Sequence, residues 1–337
     1  MRNRLAIVVV AAVLVLAGCG AKDTASTDAG PGDTEVATGG RLFKTADQET
    51  AKLGSDAQPG AFPRTVKHAL GETNLEKKPE RIVVLDSGEL DDVLALGITP
   101  VGMATTAGQA GVPSYLADKA QGIKTVGGIS ELNLEAIAAL KPDLILGSKL
   151  RANDLYDQLS AIAPTVMSIR PGFPWKENFL LVADSVGEED KATGILNDYQ
   201  KRADEVKAKV QGSPTISLVR FRPGEIRLYG NLSFIGVIRK DIGLPRPKVQ
   251  DVPDLAVEVS QENISQAAGD WLFYSSYGKP ETTAENTVVN GNLWKALPAV
   301  KNGQVARVDD EVWFLGLGPL GAMDVLTDLE KLLAAKG

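Results

Sequence analysis

The sequence predicts an α/β protein made of two lobes joined by a long helical segment. Three observations predict it. Over residues 81–168, short β-branched runs alternate with helical stretches, the pattern of a parallel sheet covered on both faces. From Trp175 to about Val210, one helical stretch replaces that alternation, with a break expected at Gly187. Strands then resume at Ile216, and an amphipathic helix is expected to close the chain over residues 321–335. The 337 residues are enough for two domain-sized cores.

The first twenty residues bear on compartment. Arg2 and Arg4 precede an unbroken apolar run from Leu5 to Ala17. Thirteen residues are short for a bilayer span and suit the core of a secretory signal. The run ends in Leu16-Ala17-Gly18-Cys19, which resembles the bacterial lipobox and places the single cysteine at the cleavage point. Residues 1–18 read as a lipoprotein signal peptide, and Cys19 as the lipidated residue. More than one acyl chain there would anchor the protein stably outside the cytoplasmic membrane. The competing reading is a cleaved secretory peptide with an incidental cysteine. Cleavage removes two arginines and no acid, taking the formal charge from −7 to −9. Residues 19–61 are rich in Gly, Ala, Thr, Asp and Ser and read as a flexible tether, with a short helix near residues 45–53.

The first lobe is expected over residues 62–174. Thr65 to Glu72 alternates and then turns, like an edge hairpin. His68 lies within it and reads as an exposed strand residue, since no second His or thiolate exists to complete a metal site. Arg81-Ile82-Val83-Val84-Leu85 reads as a buried parallel strand. Helix Glu89–Leu96 stops at Gly97, with Pro100 beyond. Strands follow at Val101–Ala104, Leu144–Gly147 and Thr165–Ser168, with helices at Leu134–Leu140 and Leu155–Ala161.

The linking segment is expected over 175–212, where Ala192, Ile195, Leu196 and Tyr199 recur at helical spacing. The second lobe is expected over 213–337. Ile216–Phe221 and Ile226–Tyr229 flank the turn Arg222-Pro223-Gly224-Glu225. Phe234–Ile242 reads as a helix stopped by Gly243, and Trp271–Tyr274 and Gln304–Val308 as strands. A weak internal match supports two similar lobes. Glu135 precedes Asp143 and a strand, and Glu262 precedes Asp270 and a strand, with the same spacing.

Composition narrows the function. The acidic charge gives no reason to expect nucleic-acid binding. One Cys and one His all but exclude disulfide frameworks, Cys/His zinc sites and thiol–imidazole catalysis. A Ser-His-Asp triad would need His68. No G-x-S-x-G occurs, and no G-x-G-x-x-G follows a strand.

Several segments together resemble the iron–siderophore substrate-binding lipoproteins of ABC importers. They are the lipobox and tether, Lys78-Pro79-Glu80-Arg81-Ile82-Val83-Val84-Leu85-Asp86, Asp91 to Gly102, and Asn133 to Leu146. Ile162-Ala163-Pro164-Thr165-Val166, Leu297 to Gly303 and the closing helix match as well. The resemblance covers about residues 62–335. It implies two Rossmann-like lobes joined by a single long helix, with the ligand in the cleft between them. The implied protein is no enzyme. It captures a ferric siderophore and delivers it to a permease, acts as a monomer and needs no cofactor beyond its cargo. Zinc- and manganese-binding relatives use a His cluster that this chain lacks.

Arg220, Arg222 and Arg227 lie within eight residues of strand, turn and strand. Alternate strand residues share a face, so Arg220 and Arg222 point the same way. Ligands of open α/β sheets sit beyond the carboxyl ends of strands, where Arg220 falls. Guanidinium suits the electron-rich oxygens of a ferric siderophore: it offers fixed donors, stays charged and does not compete for iron. Solvated strand charges are the bland alternative, and the resemblance favours Arg220 and Arg227 over it. Replacing Arg220 by Ala is expected to weaken binding and to spare stability. Arg151, after the strand Leu144–Gly147, is a candidate for the opposite wall, with Lys149 beside it and Met103–Thr106 at the rim. Trp175, Trp313, Tyr229 and Tyr274 are aromatic candidates for the cleft, and core packing is their alternative. Trp271 and Trp294 are assigned to packing.

The resemblance also implies docking on the permease through one acidic residue per lobe. Alignment on Ala95-Leu96-Gly97 gives Asp91, with Glu89 near enough to share the task, and Glu262 in the second lobe. Two other functions remain open at this point. One is corrinoid or haem carriage on the same fold. The other is a secreted hydrolase or reductase acting on the chelate.

Overall fold

The computed structural model describes residues 43–106 and 111–334. The expected signal peptide, Cys19 and the tether as far as residue 42 lie outside them. The expected tether boundary at residue 61 is corrected. Ala46–Thr50 is helical, with Ala46 and Thr50 one turn apart and both buried. Ala46 packs with Ile169 and Phe173, so the chain joins the folded body well before residue 61.

A hairpin follows, β1 (Arg64–His68) and β2 (Gly71–Leu75), antiparallel with His68 opposite Gly71. The exposed position expected for His68 is not observed. Thr73 Oγ1 donates to Thr165 O (2.7 Å) and Ala69 N to Met167 O (2.8 Å), so the hairpin lies against the first sheet. His68 is thereby buried beside Thr73 Oγ1 (3.1 Å) and the Tyr156 hydroxyl (3.3 Å). Burial lowers its pKa to about 4, so the imidazole is neutral and structural.

The first sheet contains β3 (Ile82–Val84), β4 (Gly102–Thr105), β5 (Lys124–Gly128), β6 (Glu131–Leu132), β7 (Leu144–Ser148) and β8 (Thr165–Ser168). Their order is β6-β5-β4-β3-β7-β8, parallel except for β6. Every residue of β3, β7 and β8 is buried, which is why their sequences read as continuous apolar runs. Strands β5 and β6 carry few apolar residues and two glycines, so no periodic signal announced them.

The second sheet contains β9 (Ile216–Arg222), β10 (Glu225–Tyr229), β11 (Ala256–Val259), β12 (Trp271–Ser276) and β13 (Val305–Arg307). Its order is β11-β10-β9-β12-β13. Strands β9, β12 and β13 are parallel, and β10 and β11 add an antiparallel edge. The internal match has a structural counterpart. Asp143 Oδ1 accepts from Arg81 N (2.7 Å), and Asp270 Oδ2 from Thr215 N (2.8 Å). Each carboxylate immediately precedes a parallel strand, β7 or β12, and ties down the start of the neighbouring strand, β3 or β9.

Four helices and two short ones position the site: α1 (Ser87–Ala95), α2 (Lys149–Ala152), α3 (Trp175–Val186), α4 (Glu189–Lys209), α5 (Phe234–Asp241), α6 (Asp310–Trp313); α7 (Pro319–Ala334) closes the described chain. The linking segment is two helices, α3 and α4, broken at Gly187 as the sequence predicts, where the resemblance implies a single helix. Gly187 ends α3 in the left-handed conformation, at φ 66°. A Cβ there would lie 2.7 Å from the Phe62 ring, so glycine is needed for both conformation and space.

A buried carboxylate ties the lobes together. Asp91, on α1 of the first lobe, sits at the N-terminus of α7. Its Oδ1 accepts from Leu320 N (2.8 Å) and its Oδ2 from Gly321 N (2.9 Å). The Tyr115 hydroxyl donates to Oδ2 (2.9 Å) and contacts Gly316 O (2.6 Å). These are orphan amides of a helix start, and the helix dipole favours an anion there. Gly318 permits the approach, because a Cβ at that position would lie 2.5 Å from Asp91 Cγ. Asp91→Ala should therefore destabilise the protein by about 2–3 kcal/mol, read as a lower denaturant midpoint. An unchanged midpoint would mean that the tie contributes nothing.

Candidate functional site

The strand order of the first sheet reverses between β3 and β7, and a cleft opens beyond the carboxyl ends there, as parallel sheets dictate. Asp86 follows β3, Arg151 follows β7 on α2, and Arg170 follows β8. Leu150 N donates to Ile169 O (3.2 Å), which holds the segments carrying Arg151 and Arg170 side by side. Strands β9 and β12 present their carboxyl ends to the same cleft, with Arg220 and Arg222 on β9 and Tyr277 just past β12. The β9–β10 register puts Arg227 directly opposite Arg220.

Arg151, Arg170, Arg220, Arg222 and Arg227 all line the cleft, and among the described residues no Asp, Glu, Lys or His lines it. The space, its open mouth included, is about 910 Å³. Carboxylates hold the guanidinium groups from behind. Arg220 makes a bidentate pair with Asp310, Nε to Oδ1 at 2.7 Å and Nη2 to Oδ2 at 2.5 Å. Its Nη1 donates to the Tyr229 hydroxyl (3.1 Å), and Ser275 Oγ donates to Asp310 Oδ1 (2.6 Å). The Arg220 Cζ also lies 4.8 Å from the Tyr277 ring centre and 5.1 Å from that of Phe314. Glu225 pairs with both Arg222 and Arg227, the latter at 3.1 Å. Arg151 Nε donates to Asp86 Oδ2 (3.0 Å).

Burial alone would lower the Arg220 pKa. The Tyr229 and Asp310 oxygens more than reverse that, so its charge is secure. On the first-lobe wall, burial and then the charge of Arg151 lower Arg170 to about 9. Burial lowers Arg151 to about 10. Both stay cationic at neutral pH.

The structure brings together Arg220, Arg222, Arg227, Arg151 and Tyr229, and places Thr106 at the rim. Lys149 is not among the lining residues. Trp313 reaches the cleft only as floor: it is fully buried, and its Nε1 donates to Asp328 Oδ2 (2.9 Å). Two aromatic candidates are corrected. Trp175 is fully buried in the core, edge-on to Tyr199 (5.0 Å) and Phe234 (6.0 Å), because it starts α3 on the face that packs against α4. Tyr274 lies on the opposite face of β12 from Ser275, packed edge-on to Trp294 (5.2 Å) and Phe221 (6.2 Å). Trp271 and Trp294 are buried, as packing residues are. Arg170 and Tyr277 were missed by sequence reasoning. Both sit just past strand ends, so the rule that selected Arg151 and Arg220 would have found them.

The first-lobe docking assignment is also corrected. Asp91 is buried under α7, and Glu89 is buried on the same helix. Neither can meet a partner's arginine at the surface. Glu262 is exposed, at the start of a 3₁₀ turn over Gln261–Ala267. Around Asp91, Glu89 Oε2 and Asp92 Oδ1 have no hydrogen-bond partner among the described residues. Burial, then the charge of Asp86, raises Glu89 to about 8. Burial, then Asp91 and Glu89, pushes Asp92 well up.

Residues 82–312 match the model of the periplasmic binding protein family. The chain belongs to that family. It is 41% identical over 285 residues to a probable siderophore-binding lipoprotein of Bacillus subtilis, covering 79% of this chain and 86% of that protein. An Fe(3+)-citrate-binding protein of the same organism is 33% identical over 282 residues, covering 81% and 88%. Among solved structures, Staphylococcus aureus SirA complexed with staphyloferrin B superposes with a TM-score of 0.73 at 31% identity, covering 80% of this chain and 98% of that one. The family and these relatives are binding proteins.

The geometry overturns the expectation that Arg220→Ala spares stability. Removing the guanidinium strands Asp310, itself mostly buried, without its countercharge. The variant should lose about 3–5 kcal/mol, measured by chemical denaturation. A second outcome concerns pH. The folded-state pKa of Glu89 lies above its unfolded value, so the native state holds the extra proton between about pH 4 and 8. Stability is full below the unfolded pKa and falls as pH rises through that window. Glu89→Gln should flatten the decline in melting temperature between pH 5 and 8.5. An unaltered profile would show that Glu89 does not titrate there.

Proposed function

We propose that the protein is an extracytoplasmic solute-binding lipoprotein that captures a ferric siderophore in the arginine-lined cleft and hands it to an ABC importer permease. The observation that carries this reading is the convergence of five arginines from two lobes on one cleft, in a protein of net charge −7. A cationic concavity in an acidic surface focuses field on an anionic guest. Guanidinium groups hold ligand oxygens without removing the iron. Family membership and the cargo named for the relatives support the same reading. The iron chelate is cargo and leaves unchanged, so no catalytic group is asked of the cleft.

In this reading Cys19 carries the lipid anchor outside the cytoplasmic membrane, and the protein works as a monomer. Residues 62–174 and 213–337 form the two lobes, with 175–212 between them. Glu262 is the second-lobe contact to the permease, and its first-lobe counterpart lies elsewhere than on α1. Haem ligation through His68 is disfavoured by its location, because it is buried against the hairpin and does not line the cleft.

Titrating the mature chain with ferric chelates should quench tryptophan fluorescence saturably, through Trp313 beneath the cleft. The iron-free chelators should act far more weakly. An equal response to loaded and iron-free chelator, or none to any ferric chelate, would overturn the function.

A further inference from the structure

The two walls of the cleft differ in how their charge arises. On the second-lobe wall, Arg220, Arg222 and Arg227 are set among Asp310, Glu225 and Glu258, so three cations face three carboxylates. On the first-lobe wall, Arg151 is bridged to the buried Asp86. Beside it, Arg170 directs Nε to the carbonyl of Pro171 (3.2 Å), while its own carbonyl accepts from Asn178 Nδ2 (2.9 Å). Its guanidinium lies 5.9 Å from the Phe173 ring centre. Backbone and ring thus fix Arg170 in place at the end of β8, next to Arg151 at the end of β7. Two adjacent parallel strands aim neighbouring guanidinium groups into one corner of the cleft.

Two like charges held together in a buried corner repel each other, and the repulsion is relieved when an anion enters. A planar carboxylate matches the guanidinium fork, accepting two parallel hydrogen bonds. A neutral ferric trihydroxamate carries no such group. A tris-catecholate complex is anionic, yet its charged oxygens all surround the metal and none extends to a distant wall. We propose that Arg151 and Arg170 form a carboxylate subsite on the first-lobe wall, which selects ferric chelates bearing carboxylates over neutral trihydroxamate and tris-catecholate chelates. This rests on the function proposed above and names the class of cargo within it. The second-lobe arginines then hold the iron-bound oxygens, while the first-lobe pair reads the carboxylate.

The test uses the mature chain with four probes: ferric citrate, ferric aerobactin (whose two lysine carboxylates stay off the iron), the neutral trihydroxamate ferrioxamine E, and the tris-catecholate ferric enterobactin. Wild type should bind at least one carboxylate chelate tenfold or more tighter than the other two, a difference of about 1.4 kcal/mol or more. Arg170→Gln should weaken that carboxylate chelate at least tenfold and change ferrioxamine E binding by less than twofold. Arg170→Lys, which keeps the charge and loses the fork, should fall between. The wild-type ranking needs no variant and stands even if a variant fails to fold. Tightest binding of ferrioxamine E or ferric enterobactin by wild type would overturn the subsite and leave the function intact. Equal losses for all chelates in Arg170→Gln would do the same. Binding of no ferric chelate at all would overturn the function itself.

Discussion

The site depends on pairing each inward-facing guanidinium with an oxygen behind it. Arg220 and Arg227 sit directly opposite each other on β9 and β10, an arrangement of like charges that by itself destabilises a sheet. Asp310 and Glu225 make it tolerable. Asp310 comes from a helix some ninety residues later in the chain and is itself held by Ser275 of β12. The charge that serves the ligand is thus built into the second-lobe core, stacked between Tyr277 and Phe314. Binding and folding share the same groups here, so substitutions in this wall cannot report on binding alone.

The first lobe meets the same electrostatic demand differently. Its charges, Arg151 and Arg170, follow the ends of adjacent parallel strands, and the reversal of strand order at β3 and β7 makes room beneath them. Asp86, at the end of β3, anchors Arg151. On the far side of α1, Asp91 enters the start of α7 and joins the lobes. One short helix therefore connects the cleft to the lobe interface, with Asp86 as its cap and Asp91 on its next turn. The crowding of Glu89 and Asp92 beside these acids is the electrostatic cost of placing so many carboxylates on one buried helix.

Much of the architecture was legible because parallel strands buried on both faces must be apolar throughout. Ile82–Val84, Leu144–Ser148 and Thr165–Ser168 announce themselves for that reason. Strands β5, β6 and β11, at or next to the sheet edges, face solvent or carry glycine, and their pairing comes from neighbours that local pattern does not reveal. In the site, strand-end position selected Arg151 and Arg220, and the alternation of strand faces selected Arg222. The same logic covers Arg170 and Tyr277, which went unnoticed because neither belongs to a cluster in the sequence. Trp175 and Tyr274 were misplaced because residue type says an aromatic ring will be buried, not against what.

By itself the sequence determined the lobe–helix–lobe order, the strands at the two sheet centres and the arginine-rich turn of the second lobe. These follow from local periodicity and from the chemistry of residues close together in the chain. Only the tertiary structure decided that Asp91 is a buried helix cap and that Asp310 belongs to Arg220. It alone showed that Arg151 and Arg170 share one wall. Those are contacts between distant segments. Whether a carboxylate meets solvent, an amide or a guanidinium depends on what the rest of the fold brings to it.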